Sequence, residues 1–334
     1  MLQEGLLKLF INISGMIKKS GITLFISVSL AVCVSGQVTD AEKHLRAVSA
    51  DTTLGWKKGG IFSVTLSQTA LKNWAAGGQN SVAVNGIFSL FANLRGEKSS
   101  WDNSLDLGYG IMKQGKNEDF RKTDDKIDFL SKYGRQAFGK FNYAALLNFK
   151  TQMQPGYNYI DNDNKNKISD FLSPGYLTLA LGLDYKPNDY FSTFIAPFTG
   201  KFTFVTDGFL SDQGAFGVKP GENTRGELGG YLRMIYSRND FTNEILKNVA
   251  FTTKIDLFSN YLDKPQNVDV SWETLIALKV NKFVTVNLNT HLLYDDDIKV
   301  PFDKNGDGII TENEVVGSKV QFKEIFGVGL SYKF

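Results

Sequence analysis

One stretch carries a full set of ligands for a hard cation. Asp303-Lys-Asn-Gly-Asp-Gly-Ile-Ile-Thr-Glu-Asn-Glu314 matches the pattern D-x-[DN]-x-[DN]-G-x5-E throughout. Calcium (Ca2+) takes six or more hard oxygen ligands. Asp303, Asn305 and Asp307 would supply side-chain oxygens, and Gly308 permits the sharp turn that follows. Ile309 would offer its backbone carbonyl, Thr311 a direct or water-mediated contact, and Glu314 a bidentate carboxylate. Ile310 fills the apolar position of the loop. A loop rich in Asn, Asp and Gly can match such a pattern by coincidence. No amphipathic helix flanks this one, so the expected role is a structural clip and not a paired sensor. Calcium sites outside cells are weak, with dissociation constants of roughly 10⁻⁴ to 10⁻³ M.

The other candidates carry less. Asp161-Asn-Asp-Asn-Lys-Asn166 lacks the glycine and the distant glutamate, and reads as a solvated loop. His291 shares its parity with Asn287 and Asn289, which places it on the polar face of its strand. A phospholipase-like hydrolase of the membrane surface needs Ser and a polar partner beside a His on the lipid side. His291 is expected on the other side, as a hydrogen-bonded interior residue. No GxSxG, HExxH or phosphate loop occurs.

Period-two strands are the elements that must position these residues. They run approximately 60–71, 80–95, 100–113, 124–134, 138–153, 175–186, 189–205, 225–237, 248–261, 267–280, 283–295 and 318–334. In the third, Trp101, Asn103, Leu105, Leu107, Tyr109 and Ile111 oppose Asp102, Ser104, Asp106, Gly108, Gly110 and Met112. In the last, Phe326, Val328, Leu330, Tyr332 and Phe334 oppose Gly327, Gly329, Ser331 and Lys333. Most are long enough to cross a bilayer as tilted strands, which takes about 9–11 residues. The connections alternate. Those near Arg95–Ser100, Gly134–Gly139, Lys186–Asp189 and Asn281-Lys282 are short, whereas 113–123, 154–174, 206–224 and 296–317 are long and polar. That asymmetry is the pattern of an outer-membrane barrel. The expected fold is all-β: a transmembrane antiparallel up-and-down β-barrel of about 12 strands. The seventh stretch is ambiguous around Pro197 and Gly200. A soluble sandwich would alternate similarly. It has no place for Asp106, Asp184, Arg233, Lys254, Asp256 and Glu273 near mid-strand. Aromatics near strand ends (Trp101, Tyr143, Tyr185, Tyr236, Tyr294, Tyr332) would form girdles.

Ahead of the strands, residues 1–36 read as a secretory signal. Lys18 and Lys19 form the charged start, Ile22 to Val34 the apolar core, and Val34 and Gly36 the small-residue cleavage site. Met16 is then the expected initiator. The alternative, one anchoring helix from Ile11 to Val34, is interrupted by Lys18, Lys19 and Gly21. Cys33 is the only cysteine and is expected to leave with the signal, so no disulfide or thiolate site remains. Residues 37–54 are a polar periplasmic lead-in containing His44, and residues 55–334 form the barrel. A net charge of +2 with mixed signs gives no reason to expect nucleic acid.

Leu66-Ser-Gln-Thr-Ala-Leu-Lys-Asn-Trp-Ala-Ala-Gly-Gly-Gln-Asn-Ser81 adds what periodicity cannot. It resembles the signature of the domain-of-unknown-function family numbered 3078, secreted proteins of Gram-negative bacteria. Trp101-Asp-Asn-Ser-Leu-Asp-Leu-Gly-Tyr-Gly110, Arg121-Lys-Thr-Asp-Asp-Lys126, Asn148-Phe-Lys-Thr-Gln152 and the run from Val320 to Phe334 extend the resemblance. It implies an outer-membrane barrel and assigns no activity, so no catalytic residue is carried over. On this topology Asn73-Trp-Ala-Ala-Gly-Gly78 lies at the first hairpin tip, where it shapes a tight turn or packs the mouth.

The expected function is non-enzymatic: a narrow channel or an envelope-structural barrel with a calcium clip on its outer side. The alternatives are an outer-membrane hydrolase and a surface ligand-binding barrel using the loops at 154–174 and 206–224. Expected partners are outer-membrane lipid, the barrel-assembly machinery through the C-terminal strand, and a small solute. Lumenal charges of both signs are expected to pair with one another and narrow the pore.

Overall fold

The computed structural model describes residues 54–71, 79–115, 119–159, 164–244, 246–280, 284–301 and 315–333. Residues 1–53, which hold the expected signal segment and all but the last residue of the expected lead-in, and the calcium-type loop lie outside the described residues. Twelve strands close an antiparallel barrel. They are β1 (Gly55–Thr69), β2 (Ser81–Arg95), β3 (Ser99–Gln114), β4 (Arg121–Phe138), β5 (Phe141–Thr151), β8 (Gly175–Tyr185), β9 (Phe191–Phe204), β10 (Thr224–Arg238), β11 (Val249–Asn260), β12 (Val268–Lys279), β13 (Val284–Tyr294) and β16 (Gln321–Lys333). Two small hairpins, β6 (Gly156–Tyr159) with β7 (Lys165–Ser169) and β14 (Lys299–Pro301) with β15 (Val315–Ser318), stand on the long loops. The last strand pairs with the first, as closure requires. That seam holds four residue pairs, Ile61–Lys333 to Val64–Leu330, and is the shortest ladder of the barrel among the described residues.

Alternation puts polar side chains inside and apolar ones outside. Phe62, Val64, Phe129, Leu181, Phe198, Phe322 and Phe326 are exposed on the outer face, while inward-facing Asn85, Ser89, Thr252 and Lys254 are buried. Water would disfavour an apolar belt of this extent, and a bilayer would not. Trp56, Trp101, Tyr133 and Tyr143 are exposed near the short-turn end. Polar atoms on this face find partners, as a lipid-facing surface demands. Trp101 Nε1 donates to Ser131 Oγ at 2.9 Å, and Ser131 Oγ donates to Asn103 Oδ1 at 2.8 Å. Nearer mid-strand Trp272 Nε1 donates to Thr253 Oγ1 at 2.8 Å. Tyr294 departs from the expected girdle: at the end of β13 its hydroxyl donates to Asp296 and its side chain lines the lumen mouth.

Two local readings are sharpened. β4 runs four residues past Gly134, and the turn is set by Gly139, whose φ is 54°. Glycine adopts that left-handed conformation without a Cβ penalty. The ambiguity at Pro197 is a bulge: Leu181 pairs with Phe198 but Leu183 pairs with Ile195, and the β10 register shifts at the same level. Proline has no N–H for the ladder and is tolerated there. Gly182 faces the bulge, where a Cβ would lie 2.0 Å from the Ile195 carbonyl oxygen. The extra residue switches the inward set of β9 from Phe194 and Ala196 to Thr199, Lys201 and Thr203. That switch brings Lys201 into the lumen.

The long loops are latched to one another. Asp207 caps the short helix α1 (Gly208–Asp212) by accepting from the Leu210 amide at 3.0 Å. Lys167, on β7, donates to both Asp207 and Asp170 at 2.8 Å. The hydrogen bond from Lys167, then that from Leu210, holds the Asp207 carboxyl below the usual carboxylate range. A depressed folded value means the latch is whole above the ordinary carboxylate pKa and is lost as pH falls through the lowered one. Relative to an unstructured chain at the same pH, amide exchange of 208–212 is therefore expected to be slow at neutral pH and to quicken in acid. In Asp207→Ala it should be fast at both, with a cap loss of about 1 kcal/mol. Relative exchange independent of pH in the unaltered protein would contradict the latch.

Candidate functional site: a charged cavity in the lumen

The half of the lumen nearer the short turns carries a packed apolar cluster and paired charges. Ala144, Leu146, Ala180, Phe194 and Ala196 form a buried apolar layer, with Leu130 and Tyr231 packed against it. Phe194 and Tyr231 meet edge-on at 6.3 Å. Below it, Lys132 and Lys186 flank Asp184 at 3.1 and 3.3 Å. Across the lumen Lys254 reaches Glu273 at 2.8 Å and Arg233 reaches Asp256 at 3.4 Å. The expected mutual pairing of inward charges is thus present at these residues.

Above this layer, toward the long loops, is a cavity of about 400 Å³. That is within the range of small-ligand sites. Its walls are built from β4, β5 and β8 to β13 and from the connection after β13. Tyr176, Phe258, Leu293, Tyr294 and Ile298 supply apolar surface, and Lys150, Lys201, Asp269 and Asp295 supply charge. Lys201 Nζ lies 2.7 Å from Asp269, 3.5 Å from Asp295 and 3.7 Å from Glu227. It also lies 5.1 Å above the Phe258 ring. On the β4–β5 side, Asp128 Oδ2 lies 3.5 Å from Lys126 and 3.8 Å from Lys150, while Asn148 Nδ2 donates to Oδ1 at 2.7 Å.

His291 faces this cavity, as parity predicts. Its Nε2 lies 2.9 Å from Ser271 Oγ, a partner that the sequence reading did not single out. Ser271 shares parity with Asp269 and Glu273 on β12, which was the available signal. A nucleophile and its base need such a contact. The surroundings do not complete a hydrolase. Glu273 stands directly opposite His291, yet its carboxylate is engaged by Lys254. Ser271 sits mid-strand between ladder partners Asp256 and Leu293, so no turn presents its backbone N–H as an oxyanion donor.

Asp303, Asn305, Asp307, Ile309, Thr311 and Glu314 all lie outside the described residues. The stem beneath them is seen: β14 pairs with β15, Lys299 opposite Ser318 and Pro301 opposite Val315. Among the described residues no cluster of three or more His, Cys, Asp or Glu is arranged to hold a metal. Residues 72–78 of the first hairpin tip are likewise outside them, and Asn80 closes its base by accepting from the Leu71 amide at 2.6 Å.

Residues 66–157 match the model of a family described as "Protein of unknown function (DUF3078)", which bears out the resemblance seen in the residues. No curated protein matches the chain. Among solved structures, the translocator domain of the autotransporter NalP from Neisseria meningitidis is similar at 10% identity and a TM-score of 0.37, over 88% of this chain and 94% of that one. The COG4313 outer membrane channel from Pseudomonas putida F1 is similar at 10% identity and a TM-score of 0.37, over 85% and 96%. The Pseudomonas putida toluene transporter TodX is similar at 8% identity and a TM-score of 0.30, over 90% and 95%. Likenesses this distant carry no activity across.

Proposed function

We propose that this chain is a non-enzymatic outer-membrane barrel that admits a small solute into a vestibule on its outer side and gates passage with an apolar layer. The observation that carries the reading is the cavity directly above the buried layer of Leu146, Phe194 and Tyr231. A barrel serving only as an envelope strut has no need of a ligand-sized, charge-lined space at its mouth. The apolar outer face and the short-turn and long-loop asymmetry support the membrane setting. The terminal strand, exposing Phe322, Phe326 and Val328, suits recognition by an assembly machinery. Planar-bilayer conductance tests the reading. Little current is expected from the unaltered barrel and a clear rise once the layer is thinned. No current from either would remove the channel role.

Calcium belongs to the same proposal as a clip on the outer loop. The β14–β15 stem pairs Pro301 with Val315 on either side of this segment, an arrangement that would lower the cost of closing a twelve-residue ligand loop. Millimolar calcium is expected to protect this loop from proteolysis in the unaltered protein and not in Glu314→Ala. Identical digestion patterns with and without calcium would end the idea.

A further inference from the structure

We propose that the vestibule binds a zwitterion with an apolar body, of the kind a short peptide presents, held between an acidic pole and a basic pole. The inference rests on the vestibule reading above and names its ligand class. At one pole, Asp269, Asp295 and Glu227 converge on the single ammonium of Lys201. Arg225 relieves Glu227 at 3.2 Å but is itself drawn to Asp297 at 2.6 Å. These groups sum to four carboxylates against two cations, an excess of negative charge.

The other pole stands on β5, with β8 between it and Lys201 on β9, and β8, β9, β10 and β11 between it and Asp269 on β12. Here Lys150 and Lys126 reach the same oxygen of Asp128, whose second oxygen is taken by Asn148. Lys150 is the more loosely held, at 3.8 Å, and its side chain is 35% exposed. The neighbouring Asp125 does not answer it. Asp125 accepts from Lys122 at 2.9 Å and from the Met153 and Gln154 amides at 2.7 and 2.8 Å. Asp256, also on the cavity wall, is held by Tyr231 at 2.6 Å and Arg233 at 3.4 Å.

A ligand ammonium would relieve the crowded carboxylates, and a ligand carboxylate would give Lys150 a full partner. Between the poles, Tyr176, Phe258, Leu293 and Ile298 would cover an apolar side chain. A purely anionic or cationic solute would satisfy one pole and aggravate the other.

Calorimetric titration of the detergent-solubilised full chain tests this, with the dipeptide Ala-Phe, its N-acetyl form and its C-terminal amide as probes. The free dipeptide should bind, and each blocked form should bind about tenfold more weakly, near 1.4 kcal/mol. Lys150→Met should erase the preference over the amide and keep that over the N-acetyl form. Asp269→Asn should do the reverse. Circular dichroism checks that both near-isosteric variants fold. Equal binding of all three probes, or no binding at millimolar concentration, would overturn the zwitterion site. Conductance separates this from the parent reading: current without binding leaves the channel and removes the site, and binding without current from any variant does the converse.

Discussion

In planar bilayers, the variant Phe194→Ala/Tyr231→Ala is expected to conduct at least about tenfold better than the unaltered barrel, as water replaces a packed layer. Phe194 is 1% exposed and sits at the centre of the apolar cluster, and Tyr231 closes its edge. Both point inward, so truncation widens the lumen and leaves the ladders that hold the barrel. Twelve strands make this effect measurable. A barrel of about eight strands is filled by side chains whatever they are, and one of sixteen or more holds water regardless. Between those limits the side chains decide. Two controls isolate the cause. Phe202→Ala truncates an exposed side chain on the lipid face and should leave conductance unchanged. Tyr231→Phe removes the 2.6 Å hydrogen bond to Asp256 and keeps the ring, so it too should stay closed. Current in Phe202→Ala equal to that in the double variant would mean that leakage around a loosened barrel, and not an opened lumen, was being recorded.

The strands were legible because side-chain alternation is a local property. Trp101 against Asp102, or Val328 against Gly329, declares its face from its neighbours alone. His291 was placed correctly for the same reason. What escaped were features fixed by contacts between strands. Lys201 faces the lumen because Pro197 breaks the ladder and shifts the parity after it, a shift that depends on how β8 and β10 accommodate one extra residue. Proline marked the irregularity without giving its sense. Ser271 meets His291 diagonally across two strands, at a register that no single strand encodes. The apolar layer was also hidden. Leu146, Ala180 and Ala196 are inward residues of strands read as polar inside, and their clustering exists only once the barrel closes. The calcium motif is the opposite case. Its ligands are consecutive in sequence, so the pattern is complete without the fold.

Lys201→Met is expected to be among the most damaging single substitutions in the lumen, lowering stability by roughly 3–5 kcal/mol. The side chain is 14% exposed, and three carboxylates lie within 3.7 Å of its ammonium. Without it, Glu227 keeps Arg225, but Asp269 and Asp295 lose the cation they share. Removing one partner of a buried ion pair costs much more than the pair itself contributes, because the remaining charge is stranded. Methionine keeps an unbranched stem out to Cε and removes the ammonium together with its contact to the Phe258 ring, so the loss measures mainly charge and not packing. Lys219 offers the contrast. It lies 3.6 Å from Glu222 with side chains 82% and 54% exposed, and Lys219→Met should cost no more than about 0.5 kcal/mol. The double variant Lys201→Met/Asp269→Asn supplies the deciding comparison, since it removes a stranded carboxylate along with the cation. It should recover a substantial part of the loss in urea unfolding from lipid vesicles. If the double variant is as unstable as the single one, the lysine acts by filling space, and the acidic pole is not the source of the strain.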